Sequence, residues 1–437
     1  MSRNVLIVSP ERIGPRMAGP AIRCLEFARV LRRHAAVTLA MPNSPHPPPL
    51  DGVSFCRYDY AGTQLLAAAR RSDVMVLSGL TLANVPALAD LGIPIALDIY
   101  APFNLENLEY LAARPPADQI NDHNHVLHLL AFQLRRADFY LCANSRQRDY
   151  WLGMLSALNR VNPHTYRHDH TLRKLVGIVP FGLPPTPPTH TRQALKGVYP
   201  GITAADKVIL WGGGIYQWFD PLTLIRAVGQ LAADDPAIRL VFMGVKHPNP
   251  HVRGFNKTKQ AIRLSDQFGL TGRHIFFNDW VPYEERQNVL LEADVGVSLH
   301  LDHLETRYAF RTRMLDYIWA GLPILTTGGD ELADLVRRRS LGRVVAPQDL
   351  AGVHDALAQM LAQPDLKTRL RPHFDAAAAQ LTWPCVTKPL LDFCLAPALA
   401  PDRLPHTRAS YPPPAITVPP AAVTPWAERI GKGWRLL

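Results

Sequence analysis

Cysteine is scarce in this chain. Cys24, Cys56, Cys142, Cys385 and Cys394 are all that 437 residues contain, with no C-x-x-C pair and no regular spacing. That argues against a disulfide framework and a cysteine zinc site, and it fits a reducing compartment. The N-terminus lacks a long apolar run: "MSRNVLIVSP" holds about five apolar residues, too few for a signal-peptide core and far below the roughly 18 of a membrane span. The expectation is a soluble, cytoplasmic protein, at most peripheral to the inner face of a membrane. Two phosphate-binding signatures are also missing. The loop after the first apolar run has Gly14 and Gly19 but no G-x-G-x-x-G, and no G-x-x-x-x-G-K-[ST] occurs anywhere, which disfavours a nicotinamide enzyme and a P-loop ATPase. No D-x-D stands at a strand end. The histidines of "DHNHVLH", His123, His125 and His128, suit a helix surface better than metal geometry, so no metal and no cofactor are expected.

What the chain does have is apolar substance and positive charge. A hydrophobic fraction of 47% can fill real cores, and the length exceeds the roughly 100 to 200 residues of one domain. The net charge of +10 favours an anionic partner: nucleic acid, anionic lipid or phosphorylated small molecules. The arginines are dispersed or gathered in one motif, so nucleic acid is not the expected partner.

Short, nearly continuous apolar runs alternate with helical patterns. "NVLIVSP", "AAVTLAMP", "VMVLSG", "PIALDIY" and "FYLCANS" occupy the first half, and "KVILWGGG", "IRLVFMG", "HIFFND", "VGVSLH" and "PILTTGGD" the second. Strands of this kind separated by helices imply parallel α/β layers. The alternation breaks at "VPFGLPPTPPTHT", a stiff proline-rich connector. The expected organisation is a Rossmann-like domain over 1–180, a linker over 181–195, a second Rossmann-like domain over 196–375 and a closing helix over 376–396. Last comes a Pro-rich tail over 397–437 with an aromatic and basic end at Trp426, Ile430, Trp434 and Leu437. Two open parallel sheets joined by a hinge should hold ligand in the cleft between them, at the carboxyl ends of their strands.

The densest chemistry lies in "LETRYAFRTRMLDYIWAGLP", residues 304–323. A helix over 311–321 puts Met314, Leu315, Ile318 and Leu322 on one face and Arg313, Asp316, Tyr317 and Ala320 on another. Arginines in the first turn oppose the macrodipole unless an anion sits there, in which case free N–H groups and guanidinium groups both face it. Arginine forks suit a diphosphate, and a carboxylate one turn deeper suits a ribose diol. A plain surface ion pair between Arg313 and Asp316 is the alternative. The "GGG" of 212–214, ending a strand, lets a phosphate approach backbone N–H groups or is simply a flexible turn.

These segments resemble the retaining GT-B glycosyltransferases of the family 4 type. "ADVGVSLHLDHLETRYAFRTRMLDYIWAGLPILTTGGDELADLV" is similar to that family's strand, E-x7-E segment, turn and Gly-Gly loop, and "HIFFNDWVPYEERQNVLLEADV" to the segment that holds the nucleotide base. "VGIVPFGLP" stands at the place of the interdomain linker, and "GPRMAGPAIRCLEFARVL" at that of the first glycine loop and helix. The resemblance implies a GT-B fold and sugar transfer, with retention, from a nucleoside diphosphate sugar to a glycan or lipid-linked saccharide. A non-catalytic nucleotide-sugar-binding scaffold and a sugar-nucleotide epimerase of the same fold are the alternatives.

Carried over by position, Asp316 takes the second acidic place of E-x7-E and would hold ribose hydroxyls. The first place holds Tyr308, which leaves Glu305, three residues upstream, as the nearest candidate to contact the donor sugar. "WGGGIYQWFDPLTLIRA" lacks the family's basic pair. The diphosphate would then be met by Arg307, Arg311 and Arg313, with Lys246 as a further candidate. Glu305, Arg311 and Arg313 are the expected catalytic group. Gly213, Gly214, Lys246, Trp280, Val281, Arg307 and Asp316 are expected at the donor, and Arg16, Gly19, Asp98 and Tyr100 on the acceptor side. The basic charge balance suggests an acceptor that bears phosphate.

Overall fold

The structure is a computed structural model that describes residues 3–42, 50–59, 62–246, 255–404 and 407. Its first parallel sheet has seven strands: β1 (Asn4–Val8), β2 (Ala36–Pro42), β3 (Val53–Tyr58), β4 (Val74–Ser78), β5 (Ile95–Asp98), β6 (Phe139–Cys142) and β7 (Val176–Ile178). The second has six: β8 (Lys207–Trp211), β9 (Ile238–Phe242), β10 (Ile275–Phe277), β11 (Val295–Ser298), β12 (Ile324–Thr327) and β13 (Gly342–Val345). The strand orders are β3-β2-β1-β4-β5-β6-β7 and β10-β9-β8-β11-β12-β13, so each sheet reverses its direction of growth beside its first strand. Such a reversal opens a crevice beyond the strand ends, and both crevices carry the residues described below.

The central strands are apolar on both faces because helices cover both. β4 and β5 are buried along their whole length. The periodicity reading misses β3, β7 and β13, all at sheet edges. β3 (VSFCRY) and β13 (GRVV) are only half-buried and mix polar with apolar residues, which weakens the apolar run that marks a covered strand. β7 is three residues long. Its Gly177 is demanded by the Phe139 ring, which an added Cβ would approach to 2.5 Å.

After the second sheet the chain returns to the first. In the helices Trp383–Val386 and Lys388–Leu395, Trp383 lies edge-on to Phe27 and Phe393 stacks on Phe139 at 5.0 Å. Gly182 allows this approach, since a Cβ there would meet Trp383 at 2.7 Å. The start of the tail is tied to the first domain. The Ala400 N–H and the Arg403 guanidinium both donate to Asp138, at 2.7 and 2.5 Å, and Arg160 reaches Asp402 at 2.7 Å. Trp426, Ile430, Trp434 and Leu437 lie outside the described residues. Among those described, no helix is long and apolar enough to cross a membrane.

Candidate functional site

The second sheet's crevice begins at the loop 212–214 after β8. The Gly212 N–H donates to the Tyr317 hydroxyl at 2.7 Å, and that hydroxyl turns toward the carbonyls of Val297 and Leu210 at 2.9 and 3.1 Å. Tyr317 is therefore a fully buried clamp on the glycine loop, although the helical pattern had set it on the open face. Gly213 sits at φ +98°, a conformation that favours glycine. A Cβ on Gly212 would crowd the Tyr317 ring at 3.0 Å.

The helix Thr312–Ala320 opens against this loop, with Arg311 as its N-cap residue and Arg313 in its first turn. The Arg313 guanidinium lies over the rings of Phe219 and Trp211, at 4.1 and 4.6 Å. Its Nη2 donates to the Gly214 carbonyl at 2.7 Å, and its Nη1 is buried with no hydrogen-bond partner among the described residues. Burial pushes its pKa down to about 10, which leaves it charged at neutral pH. A cation only 8% exposed, without a carboxylate partner among the described residues, is costly. It stands at a helix N-terminus, so the charge and the free donor are placed as an anion would require.

One turn on, Asp316 accepts from Arg286 Nε at 3.0 Å and keeps its side chain 30% exposed. Arg286 is held over the rings of Tyr283 and Trp319, at 3.8 and 4.7 Å, and donates to the Tyr283 carbonyl. Trp280 bridges to Gly244, where a Cβ would meet the indole at 2.6 Å. These groups line one cavity of about 130 Å³, together with Gly213, Gly214, Val281 and, from the first domain, Gly19.

A second cavity, of about 200 Å³, adjoins it and shares Gly19, Tyr216 and Arg313. Its floor on the second domain is Glu305, buried in the helix Leu304–Tyr308. Both Glu305 oxygens are gripped by Arg311, at 2.9 and 2.5 Å, and Asp330 stands behind Arg311 at 3.9 Å. Asp330 caps the helix Glu331–Arg339 by accepting from the Ala333 N–H at 2.7 Å. Burial raises its pKa to about 6 against the pull of Arg311. Glu305, and not Tyr308, thus enters the cavity; Tyr308 packs on Tyr150 instead.

The other expected residues fall into two groups. Tyr100 and Asp98 line the second cavity, but Asp98 is spent on a buried ion pair with Arg23, at 2.6 and 3.1 Å. Arg307, Arg16 and Lys246 are exposed and line neither cavity. Lys246 pairs with Asp279 at 2.9 Å. The three arginines of residues 307–313 therefore do not converge on one anion. Arg307 faces outward, Arg311 serves Glu305, and Arg313 has the unpartnered Nη1. Sequence reasoning missed Arg286, Tyr216, Glu106, Asn107 and Gln147, all of which line these cavities. Only Arg286 had a local signal, as the cation of the "YEERQ" stretch within the segment that resembles the base-holding one.

Two parallel sheets with their crevices facing one another define the GT-B fold, and solved glycosyltransferases share it. HepE of Anabaena in complex with UDP-glucose superposes with a TM-score of 0.63 at 13% identity, covering 91% of this chain and 100% of that one. Sucrose-phosphate synthase of Thermosynechococcus elongatus does so with a TM-score of 0.60 at 14% identity, covering 90% and 98%. Residues 206–363 match the family of glycosyl transferases group 1, so the second domain is a glycosyl transferases group 1 domain. D-inositol 3-phosphate glycosyltransferase of Corynebacterium urealyticum is 25% identical over 210 residues, which is 48% of this chain and 47% of that protein. The match thus spans about half of the curated relative's length.

Proposed function

We propose that this protein transfers a sugar from a nucleoside diphosphate sugar to a hydroxyl of a glycan or lipid-linked saccharide, with retention of configuration, in cell-surface polysaccharide synthesis. The observation that carries the reading is Arg313: a buried cation with an unpartnered Nη1 at a helix N-terminus, between a glycine loop and Asp316. A nucleotide base against Trp280 and Val281, a ribose on Asp316 and a diphosphate on Arg313 would fill the smaller cavity in that order. The sugar would then enter the larger one, above Glu305. The group 1 domain and the fold shared with a protein crystallised with UDP-glucose support such a donor.

Breaking the glycosidic bond moves negative charge onto the diphosphate. Arg313 and the N–H groups at the helix start stabilise that charge, in a site that burial keeps low in dielectric. This assignment requires neither a metal nor a cofactor. Glu305, with both oxygens held by Arg311, acts as a fixed negative charge beside the sugar carbon that becomes electron-poor, and not as a free nucleophile. The protein would work in the cytoplasm, peripherally at the inner membrane face when its acceptor is lipid-linked.

The test is thermal stabilisation by UDP-, GDP- and ADP-sugars. One base class should stabilise the wild type, and Asp316→Ala and Arg313→Ala should lose most of the shift. No shift with any of them, or equal shifts in the variants, would remove the donor-site reading. The anomeric configuration of the product, read by proton NMR, decides retention.

A further inference from the structure

The wall of the larger cavity contributed by the first domain contains two polar side chains that nothing in the donor reading uses. Both come from the first turn and a half of the helix Phe103–Leu111. Glu106 lines the cavity with no hydrogen bond or ion pair to its carboxyl among the described residues, and Asn107 beside it has a buried side-chain nitrogen with no partner. Asn107 is only 3% exposed. A buried amide left unsatisfied costs free energy unless a ligand or water completes it.

The charges on this wall are equally telling. Among the described residues its charged groups are Asp98, neutralised by Arg23, and Glu106. Arg12 and Arg16 are exposed and line neither cavity. Among the described residues this wall therefore offers an acceptor phosphate no cation; the cations of the cavity, Arg311 and Arg313, stand on the opposite wall.

We propose that Glu106 and Asn107 form the acceptor-recognition pair, and that they select a neutral polyhydroxylated acceptor, an unphosphorylated sugar or polyol, over a phosphorylated one. The proposal rests on the glycosyl-transfer reading above. Glu106 enters it as a carboxylic acid. Burial first, and then the negative charge of Glu305, push its pKa up to about 8 against the pull of Arg311. The other titratable groups around it are Tyr100 after β5 and Tyr216 after β8, both raised by burial and so neutral in the same range. A protonated carboxyl donates one hydrogen bond and accepts others, and Asn107 supplies the complementary amide, so together they match adjacent hydroxyls. Among the described residues an acceptor phosphate would meet no cation on this wall, and above pH 8 it would meet a second carboxylate as well.

The experiment uses the full-length protein and the nucleotide sugar that stabilises it. Nucleotide release without acceptor reads the donor site alone, and stimulation of release by glucose, glucose 6-phosphate, myo-inositol and inositol 3-phosphate reads the acceptor wall. The neutral member of each pair should stimulate at least about tenfold more than its phosphate. Glu106→Ala should lose about tenfold of that stimulation, the scale of one ligand hydrogen bond, while the donor-induced thermal shift persists. Glu106→Gln should recover it at neutral pH and, unlike the wild type, hold it above pH 8. Preference for the phosphorylated members overturns the proposal. So does an Ala variant equal to wild type, or a Gln variant that fails like Ala. If no nucleotide sugar binds the wild type, the parent reading falls first and takes this one with it.

Discussion

Arg311 and Arg313 are two positions apart and both buried, yet removing them should have opposite consequences. Arg311 is half of a bidentate pair, so Arg311→Ala leaves Glu305 buried without its partner; the expected loss is about 3–5 kcal/mol in denaturant unfolding without ligand. Arg313 has no carboxylate partner among the described residues and bears the cost of its own burial. Arg313→Ala should therefore leave unliganded stability unchanged or raised, while nucleotide-sugar affinity falls at least about tenfold, the loss of a charge-assisted hydrogen bond. Equal destabilisation by both variants in unfolding curves would refute this division of roles. Glu106 gives a pH signature at the same scale. Its folded pKa of about 8 stands above the usual 4.5, so the folded state holds the proton more tightly and stability falls as pH rises between those values. Glu106→Gln should melt progressively higher relative to wild type from about pH 5 to about pH 8, with the gap level beyond that. Of these residues, Arg311 and Arg313 were legible from the helical pattern that starts at 311, and Glu305 from the family resemblance, as the nearest carboxylate to the place that Tyr308 holds. Glu106 and Asn107 were not, because a single glutamate and asparagine on an amphipathic helix look the same whether they face water or a cleft.

The elements themselves follow from local pattern wherever two faces are covered. Each interior strand showed as an apolar run, and the helix beginning at Thr312 was recognisable from its spacing and from the Gly321 that ends it at φ +65°. Three of the four edge strands, β3, β7 and β13, were not recognisable, because they are short or half-exposed and mix polar and apolar residues, whereas the edge strand β10 showed in "HIFFND". Some glycines become intelligible only once the neighbouring element is known. Gly182 is one: Leu183 exchanges backbone hydrogen bonds with Leu381 and Trp383, at 2.7 and 2.8 Å, and the indole leaves no room for a Cβ. Gly182→Ala would force Trp383 and its backbone to shift, with an expected loss of about 1–3 kcal/mol in denaturant unfolding, as for other overpacked sites. A stability within experimental error of wild type would show that the return helix docks more loosely than this.

On the scale of the whole molecule, the two domains are tied together around the cleft. Arg146 of the first reaches Asp334 and the Gly329 carbonyl of the second, at 2.6 and 2.7 Å, and the Tyr283 N–H donates to the Pro15 carbonyl at 2.9 Å. Behind the first sheet, residues 400–403 form a separate clasp on Asp138 and Arg160. Arg403→Ala would leave the buried Asp138 carboxylate without its cation, at an expected cost of about 3–5 kcal/mol. The donor-induced thermal shift should be kept, since the clasp lies outside both cleft cavities; loss of that shift would mean that the clasp and the cleft are coupled. The sequence by itself determined the two parallel α/β halves and the arginine-rich helix start, because periodicity and helix electrostatics act over a few residues. Only the tertiary structure decided which arginine has a free donor, that Asp98 is consumed by Arg23, and that Glu106 faces Glu305 across the cleft. Those outcomes depend on which buried charges find partners from distant parts of the chain, and no local pattern encodes that.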